Sequence, residues 1–471
     1  MLPHRTKIVC TIGPATCSRN TLKELIMAGM NVARLNFSHG THEAHGKVAN
    51  SLKSLSKSMK RPIAIMLDLQ GPKIRTGLIQ GGSLSVKTKD SLTITTRLVE
   101  GGADIISTTY RGITKDLQPG DKILVDDGLI ELKVLSKSHT DLLCEVISGG
   151  VIREHKGINL PGITTGISAV TEKDRKDLDF GLDMGIDFVA ASFVRSAKDV
   201  ETLKRILKKK GAEIPVISKI EKPQALDKLD EILEASDGIM VARGDLGVEL
   251  SPEQVPVAQK KMIALANQKR KIVITATQML ESMTEHPLPT RAEASDVANA
   301  ILDGTDAIML SGETSLGKYP VKAAKMMARI ARVTERNFPA TPPFSRKTSS
   351  FSDTVSEAAC LAAENLGLNA IVAFSQSGFT ARLISKYRPS VPIIAFTTTE
   401  TVQRSLGLCW GVKSLLLPIM DNSDVMIKMM EDQLRKKRLV KRNDRIVIVG
   451  GHPLQNRGKT NMMKLHVVGE K

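Results

Sequence analysis

Short apolar strands alternate with amphipathic helices over most of the 471 residues, and this alternation limits the possible folds more than any other feature. Such alternation is typical of parallel α/β architecture. Eight strands are expected in the first three quarters of the chain: Lys7–Gly13, Val32–Asn36, Ile63–Asp68, Phe188–Ser192, Val216–Ile220, Gly238–Val241, Ile272–Thr275 and Ala307–Leu310. Because eight parallel strands close a (β/α)8 barrel, we expect an α/β protein built on a TIM barrel.

Two parts of the chain depart from the barrel pattern. Residues 71–159 are rich in Gly, Thr, Val and Asp and show no long helical period, which predicts an inserted all-β lid domain. A proline-rich linker, Pro339–Pro343, precedes a second run of strands and helices, which predicts a separate C-terminal α/β regulatory domain. The expected boundaries are 1–70 and 160–338 for the barrel, 71–159 for the lid and 344–471 for the C-terminal domain.

Composition excludes several classes of protein. The five cysteines are scattered and form no C-x-x-C pair, which argues against a disulfide framework or a zinc site and for a reducing compartment. No segment approaches the roughly 20 apolar residues of a membrane helix. We therefore expect a cytoplasmic protein that does not bind membranes.

The net charge of +17 fits either nucleic acid or anionic metabolites as ligands. Aromatic residues make up only 3% of the chain, and no basic stretch is interleaved with the aromatic side chains on which bases stack. The basic run Arg435–Arg442 is interpreted as a solvated helix end. We expect small anionic ligands and no nucleic acid.

Polar residues follow the expected barrel strands, at the end of the barrel where catalytic groups collect. They are Arg34, Asn36, Ser38, His39, Asp68, Lys73, Arg75, Ser192, Lys219, Glu221, Arg243, Asp245 and Thr277. Mg²⁺ prefers one or two carboxylates together with waters and substrate oxygens. Cations offset the charge of a phosphoryl group during its transfer. The strand ends therefore predict metal-dependent phosphoryl transfer.

Three other patterns do not indicate sites. His39, His42 and His45 lack the spacing of a zinc motif. The segment from Gly451 to Thr460 resembles a P-loop, but its spacing is two residues too long and a strand follows it. Asp183 and Asp187, at the opposite face of the barrel, are interpreted as caps.

Seven strings at the strand ends identify the chain as resembling the pyruvate kinases, in the family's order and over essentially the whole length. They are Arg34–Gly40 (RLNFSHG), Asp68–Gly77 (DLQGPKIRTG), Ile217–Glu221 (ISKIE), Met240–Asp245 (MVARGD), Thr275–Met283 (TATQMLESM), Pro289–Ala292 (PTRA) and Ile308–Thr314 (IMLSGET). The resemblance implies transfer of the phosphoryl group of phosphoenolpyruvate to ADP, giving pyruvate and ATP, with Mg²⁺ or Mn²⁺ as cofactor.

The resemblance also implies roles for individual residues. The metal ligands would be Glu221 and Asp245. The catalytic residues would be Arg34, Lys73, Lys219 and Thr277. Substrate would be bound by Arg34, Ser192, Lys219, Ala242, Arg243, Gly244, Asp245 and Thr277, with the backbone of Ala242–Asp245 holding the substrate carboxylate. Nucleotide would be bound by Asn36, His39, Arg75 and Lys156.

Potassium-dependent family members ligate K⁺ at the positions of Asn36, Ser38, Asp68 and Leu69. Those members carry Glu where this chain has Lys73 and Thr where it has Leu69. A lysine ammonium would supply the positive charge that the ion otherwise brings. We expect that K⁺ is not required.

The resemblance further implies a homotetramer and an effector loop. The expected loop residues are Ser375, Gln376, Ser377, Gly378 and Thr380, between a strand and a helix whose free N–H groups can hold a phosphate. Phe379 stands where a basic residue is common, so fructose bisphosphate, a sugar monophosphate and AMP all remain possible effectors.

Two alternatives remain open. A barrel enzyme of another kind, such as a carbon–carbon lyase acting on pyruvate or phosphoenolpyruvate, would need no nucleotide. A non-catalytic RNA-binding protein on an enzyme fold would show salt-dependent RNA binding without turnover.

Overall fold

The computed structural model describes residues 4–163, 165–338, 350–420, 422–452 and 459–470. The expected linker Pro339–Pro343 lies outside these residues, as does the centre of the P-loop-like segment, residues 453–458.

Eight parallel strands form a closed barrel in chain order, which confirms the predicted TIM barrel. From the first to the eighth strand they are Lys7–Ile12, Val32–Asn36, Ala64–Asp68, Phe188–Ala191, Val216–Ile220, Gly238–Ala242, Ile272–Ala276 and Ala307–Leu310. The barrel closes where the first strand pairs with the eighth, with Lys7 opposite Ala307. Nearly every strand residue is buried, as expected for a parallel sheet covered by helices.

Helices surround the barrel and begin at side-chain caps in several places. They are Arg19–Ala28, His42–Met59, Glu172–Met184, Ala197–Lys209, Pro223–Asp227, Leu229–Ala235, Arg243–Glu249, Gln254–Gln268, Arg291–Leu302, Gly312–Ser315 and Pro320–Asn337. Thr171 and Asp174 form a capping box, and so do Thr290 and Glu293. Each box satisfies two backbone N–H groups that the first helical turn leaves free.

The inserted segment folds as two sheets of mostly antiparallel strands with their own apolar core. Six strands form one sheet and two form the other. The strands are Ser83–Val86, Ser91–Thr95, Ile105–Ser107, Lys122–Val125, Ile130–Lys137, Asp141–Ser148, Gly150–Arg153 and Ile158–Asn159, and one short helix spans Ile113–Asp116. The core of this unit includes four fully buried side chains, Leu92, Ile94, Leu132 and Val146. We call this unit the β module.

The C-terminal domain is a five-stranded sheet with helices. Its strands are Ala370–Phe374, Ile393–Thr397, Val412–Leu416 and Arg445–Gly450, which are parallel, and Met462–Val467, which pairs antiparallel at one edge. Its helices are Phe351–Asn365, Phe379–Lys386, Glu400–Ser405 and Ser423–Lys436. Among the described residues, no helix has the length and apolar character needed to span a membrane.

Buried ion pairs join this domain to the N-terminal face of the barrel. Asp306, which precedes the eighth barrel strand, pairs with Lys386 and lies 2.8 Å from Arg388 Nη2. Asp187 accepts hydrogen bonds from the Ile65 N–H and from Arg404 Nε, at 2.9 and 2.8 Å. The interpretation of Asp187 as a cap is therefore wrong, because its carboxylate joins two domains.

Candidate active site

Asp68 lies at the centre of the strand ends and holds two cations. It is fully buried, and its Oδ2 lies 2.6 Å from Arg34 Nε while its Oδ1 lies 3.4 Å from Lys219 Nζ. Thr11 Oγ1, at the end of the first strand, accepts a second hydrogen bond from Arg34 at 2.9 Å. Burial alone would raise the pKa of Asp68, but Lys219 and Arg34 outweigh it and hold the pKa below its usual value.

Lys219 is fixed by three neighbours. Its ammonium lies 2.8 Å from Glu221 Oε1 and donates to Ser192 Oγ, also at 2.8 Å, in addition to facing Asp68. Burial opposes the charged form, yet Asp68 and Glu221 hold the pKa of Lys219 above its ordinary value. The side chain is therefore a preorganised cation at the mouth of the barrel.

Glu221 and Asp245 are the carboxylates suited to a divalent metal. Glu221 Oε2 accepts a hydrogen bond from the Phe193 N–H at 2.6 Å. Burial raises the pKa of Glu221, Lys219 opposes this, and the nearby charge of Asp245 adds to the rise. Two negative groups that disfavour each other gain from a shared cation. Among the described residues no cluster of three or more His, Cys, Asp or Glu could hold a metal. A two-carboxylate site completed by waters and substrate oxygens fits Mg²⁺.

Thr277 sits in an unusual backbone conformation after the seventh strand. Its φ is +66° and that of Gln278 is +52°, a region that non-glycine residues seldom occupy. Its hydroxyl accepts from the Gly244 N–H at 2.8 Å and donates to the Ala276 carbonyl at 2.6 Å. Arg243 holds this turn, since its Nη2 donates to the Thr277 carbonyl at 2.7 Å. Strained backbone of this kind is characteristic of functional sites.

The Arg243 guanidinium makes a second contact, an ion pair with Asp296 at 2.7 Å. Its donors are thus used within the protein. The first helical turn after the sixth strand, at Gly244 and Asp245, offers backbone N–H groups next to Thr277.

The candidate nucleotide-binding residues lie on both the barrel and the β module. Arg75 Nη1 donates to the His155 carbonyl at 2.8 Å, and Lys156 pairs with Asp126 at 2.9 Å. His39 lies near three cations: burial lowers its pKa, and the charges of Arg75, Lys73 and Arg34 lower it further. The structure therefore brings His39 and Arg75 together, whereas Lys156 is held by a carboxylate of its own module.

At the expected monovalent-cation site, the structure shows a lysine near a carboxylate and a buried leucine. Lys73 Nζ lies 4.0 Å from Asp245 Oδ1. Leu69 is buried in the apolar core, and its carbonyl accepts a hydrogen bond from Ser192 Oγ at 2.7 Å. Asn36 Oδ1 accepts from the Ser38 N–H at 3.1 Å. Position 69 thus offers no side-chain oxygen to an ion, and position 73 offers a positive charge.

The candidate effector loop lies between a strand and a helix of the C-terminal domain. Ser375 Oγ accepts from the Thr380 N–H at 3.3 Å, and the Thr380 and Thr460 hydroxyls lie 2.7 Å apart. Arg382 Nη1 donates to the Ser377 carbonyl at 3.2 Å. Gly378 has a φ of +78°, which permits the tight turn into the helix.

Comparison with known proteins decides the family. The family model described as pyruvate kinase, barrel domain, matches residues 3–324, and the model described as pyruvate kinase, alpha/beta domain, matches residues 353–466. The chain belongs to the pyruvate kinase family. It is therefore a phosphotransferase, and the family generally uses Mg²⁺.

Relatives named pyruvate kinase match over the full chain. One from Geobacillus stearothermophilus is 46% identical over 100% of this chain and 81% of its own length. One from Mycobacterium tuberculosis is 44% identical over 100% of this chain and 99% of its own length. A crystal structure of a pyruvate kinase from Cryptosporidium parvum superposes with a TM-score of 0.92 at 38% identity, covering 99% of this chain and 96% of that one.

Several residues of the site were missed in the sequence. Thr11, which supports Arg34, is the last residue but one of the first barrel strand and could have been found by the same rule as the others. The Glu249 side chain is fully buried, pairs with Lys222 at 2.8 Å and lies 3.4 Å from Asn159 Nδ2 of the β module. No local pattern in the sequence indicates this contact between barrel and module.

Proposed function

We propose that the chain transfers the phosphoryl group of phosphoenolpyruvate to ADP, giving pyruvate and ATP. The observation that carries the proposal is the position of Lys219, whose ammonium is held between Asp68, Glu221 and Ser192 at the mouth of the barrel. A fixed cation stabilises charge that develops on the transferring phosphoryl group without any reorganisation during the reaction.

Binding of the phosphate uses the same group of residues. Arg34, fixed by Asp68 and Thr11, would hold phosphate oxygens next to Lys219, with Ser192 alongside. Glu221 and Asp245 would hold Mg²⁺ or Mn²⁺, which when bound neutralises phosphate and carboxylate oxygens. Lys73, 4.0 Å from Asp245, adds a further positive charge there.

The enolate that remains after transfer must gain a proton. The backbone of Ala242, Arg243, Gly244 and Asp245 would hold the substrate carboxylate. A substrate carboxylate would compete with Thr277 for the Gly244 N–H, which the Thr277 hydroxyl now accepts. Released from that bond, Thr277 Oγ1 would face the enolate and relay its proton with water.

ADP would bind between the barrel and the β module. Asn36 and His39 on the barrel and Arg75 and Lys156 on the module would hold the nucleotide, and closure of the module as a lid would exclude water from the phosphoryl transfer. Binding of ADP phosphates by Lys156 would compete with its ion pair to Asp126.

Activity without K⁺ is part of the proposal. Lys73 supplies a tethered cation close to Asp245, and Leu69 supplies no side-chain oxygen, as described above. The Asn36 and Asp68 side chains around this region are engaged with the protein itself.

A phosphorylated effector would bind at Ser375, Gln376, Ser377, Gly378 and Thr380. The loop carries hydroxyls and opens the eight-residue helix Phe379–Lys386, whose first N–H groups favour an anion. Ser377→Glu should abolish activation by every phosphorylated metabolite that activates the parent enzyme. An unchanged response would place the effector elsewhere.

We also propose a cytoplasmic homotetramer. Barrel and C-terminal domain each offer exposed apolar side chains, among them Val257, Leu288 and Phe338 on the barrel unit and Leu465 on the edge strand. Light scattering at working concentration should give four times the chain mass; a monomer would contradict this.

Turnover with phosphoenolpyruvate and ADP tests the central proposal. Pyruvate should form only when ADP and Mg²⁺ are both present, in buffer with or without K⁺. Pyruvate release that does not need ADP would favour a carbon–carbon lyase, and salt-dependent RNA binding without turnover would favour the non-catalytic alternative.

A further inference from the structure

The two carboxylates proposed as metal ligands are connected through a second, neighbouring ion pair. Lys222 directly follows Glu221 in the chain, and Glu249 lies four residues after Asp245 on the helix Arg243–Glu249. Residues four apart lie on the same face of a helix. Lys222 Nζ lies 2.8 Å from Glu249 Oε1. This ion pair therefore joins the two chain segments that carry the proposed metal ligands.

The Lys222–Glu249 pair is shielded from water. The Glu249 side chain is fully buried, and that of Lys222 is only 14% exposed. Glu249 Oε2 is buried and has no hydrogen-bond partner among the described residues, so the carboxylate is held through Oε1. A buried carboxylate without its cation would be an uncompensated charge, which makes separation of the pair costly. Lys222 therefore fixes the end of the helix relative to Glu221.

The same carboxylate contacts the β module. Asn159 Nδ2 donates to Glu249 Oε1 at 3.4 Å. Asn159 is the second residue of the strand Ile158–Asn159, with which the module ends. The Ile158 N–H donates to the Ile74 carbonyl at 2.9 Å, so the segments that enter and leave the module are bonded to each other. Glu249 thus holds the base of the module.

Two candidate nucleotide-binding residues lie on these segments. Arg75 directly follows Ile74, and it forms an antiparallel bridge with Gly157. Lys156 lies three residues before Asn159. A contact at Asn159 therefore affects the position of both cations.

We propose that Lys222 and Glu249 are positioning residues that couple the metal site to the β module. Their ion pair sets the separation of Glu221 and Asp245, and the hydrogen bond to Asn159 transmits a change in that separation to the base of the module. This role rests on the proposed function, because it requires a divalent cation at Glu221 and Asp245.

Mn²⁺ affinity tests the connection to the metal site. Glu249→Gln keeps the shape of the side chain and removes its charge. It should weaken Mn²⁺ binding in the presence of phosphoenolpyruvate by about 10–100-fold, as changes to groups that orient metal ligands do. Free Mn²⁺ is measured by electron paramagnetic resonance, without turnover. Glu253→Gln removes the same charge from an exposed position four residues away and should bind Mn²⁺ like the parent. Parent affinity in Glu249→Gln would overturn the proposal.

Two further variants separate the ion pair from a buried unpaired charge. Lys222→Arg keeps the positive charge and should retain the Mn²⁺ affinity of the parent. The double variant Lys222→Gln/Glu249→Gln leaves no unpaired charge and should lose as much affinity as Glu249→Gln. Parent affinity in the double variant would show that the unpaired charge caused the loss, and would overturn the role of the ion pair.

Hydrogen exchange tests the connection to the β module. In the parent, Mn²⁺ with phosphoenolpyruvate should slow exchange in peptides that cover residues 156–160. Asn159→Ala should lose this protection while it keeps the Mn²⁺ affinity of the parent, because it removes only the bond to the module. Glu249→Gln should lose the protection even when saturated with Mn²⁺. Exchange in the barrel strand Ile272–Ala276 should be the same in all variants, which separates lost coupling from a loosened fold. Unchanged protection in Asn159→Ala would overturn the coupling.

These measurements are independent of the test of turnover. A parent protein that forms no pyruvate from phosphoenolpyruvate and ADP would contradict the proposed function, whatever the Mn²⁺ affinities of the variants. A parent protein that turns over, together with a Glu249→Gln variant that binds Mn²⁺ equally well, would overturn the role of Lys222 and Glu249 alone.

Discussion

Reversing the charge at position 73 should convert the enzyme into one that needs K⁺. Lys73 Nζ lies 4.0 Å from Asp245 Oδ1, and both side chains are about one-third exposed, at 29% and 31%. Two unit charges at that distance interact by about 1 kcal/mol in water and about 4 kcal/mol at an effective dielectric of 20. Lys73→Glu replaces this attraction with a repulsion of comparable size.

These two interaction energies set the expected loss of activity. Since about 1.4 kcal/mol corresponds to a factor of ten, Lys73→Glu should lower kcat/KM at least tenfold in K⁺-free buffer. Added K⁺ should recover part of the loss by supplying a cation between the two carboxylates. The double variant Leu69→Thr/Lys73→Glu should recover more, because the threonine hydroxyl adds a ligand oxygen. Lys73→Met, which removes the charge without adding a carboxylate, is the matched control and should respond less to K⁺.

The assay is coupled pyruvate formation at constant ionic strength, with choline chloride replacing KCl. The parent enzyme should be equally active in both salts and should still require Mg²⁺. A parent rate that rises tenfold or more on replacing choline with K⁺ would refute the reasoning, because Lys73 would then not substitute for the ion.

Three other predictions follow from the buried charges. Lys219→Met should lower kcat by at least about 10²–10³-fold in protein that is still folded by circular dichroism at the assay temperature, while the exposed control Lys198→Met stays near the parent rate. Full activity of Lys219→Met in the coupled assay would remove Lys219 from the mechanism. Asp306→Asn should lower the free energy of unfolding by about 3–5 kcal/mol in urea denaturation, because it leaves Lys386 and Arg388 buried without a carboxylate. Glu43→Gln, in an exposed pair with Lys47, should cost at most about 1 kcal/mol, and equal losses would contradict the assigned burial. Burial lowers the pKa of Lys386 to about 8 from an ordinary 10.5; between these values the unfolded chain binds more protons, so the contribution of Lys386 to stability rises with pH. Urea titrations at pH 7.5 and 9.5 should show a rise in the parent that is smaller in Lys386→Met, and identical slopes would be inconsistent with the shift.

The barrel was predictable because its strands are short apolar runs that repeat in a regular order. The first and last residues of the strands were less predictable. In the C-terminal domain the strand Ile393–Thr397 begins only after Pro392, which has no N–H to donate to a neighbouring strand, although its carbonyl still accepts from the Ile371 N–H. The third barrel strand was predicted to begin at Ile63 and begins at Ala64, the second residue after Pro62.

The candidate site was predictable wherever a residue follows a strand, because strand ends meet whatever their distance in sequence. Lys219, Asp68 and Ser192 were found in this way, and the structure places them together. Contacts between domains could not be predicted in this way, because the residues involved share no position at the strand ends. Asp187 and Arg404 are 217 positions apart, and only the packing of the C-terminal domain on the barrel brings them together.

The cations at the mouth of the barrel differ in their surroundings from some cations near its opposite end. At the mouth, Arg34 and Lys219 are fixed by Asp68 and Glu221, so that much of their charge is neutralised within the protein. A catalytic cation must keep its position while the substrate's charge moves, and buried carboxylates provide that rigidity. Near the other end, Lys413 and Lys437 have no carboxylate partner among the described residues, and their charges repel each other. Paired cations therefore suit chemistry that needs a fixed charge, whereas these two lysines lack a carboxylate that would fix them.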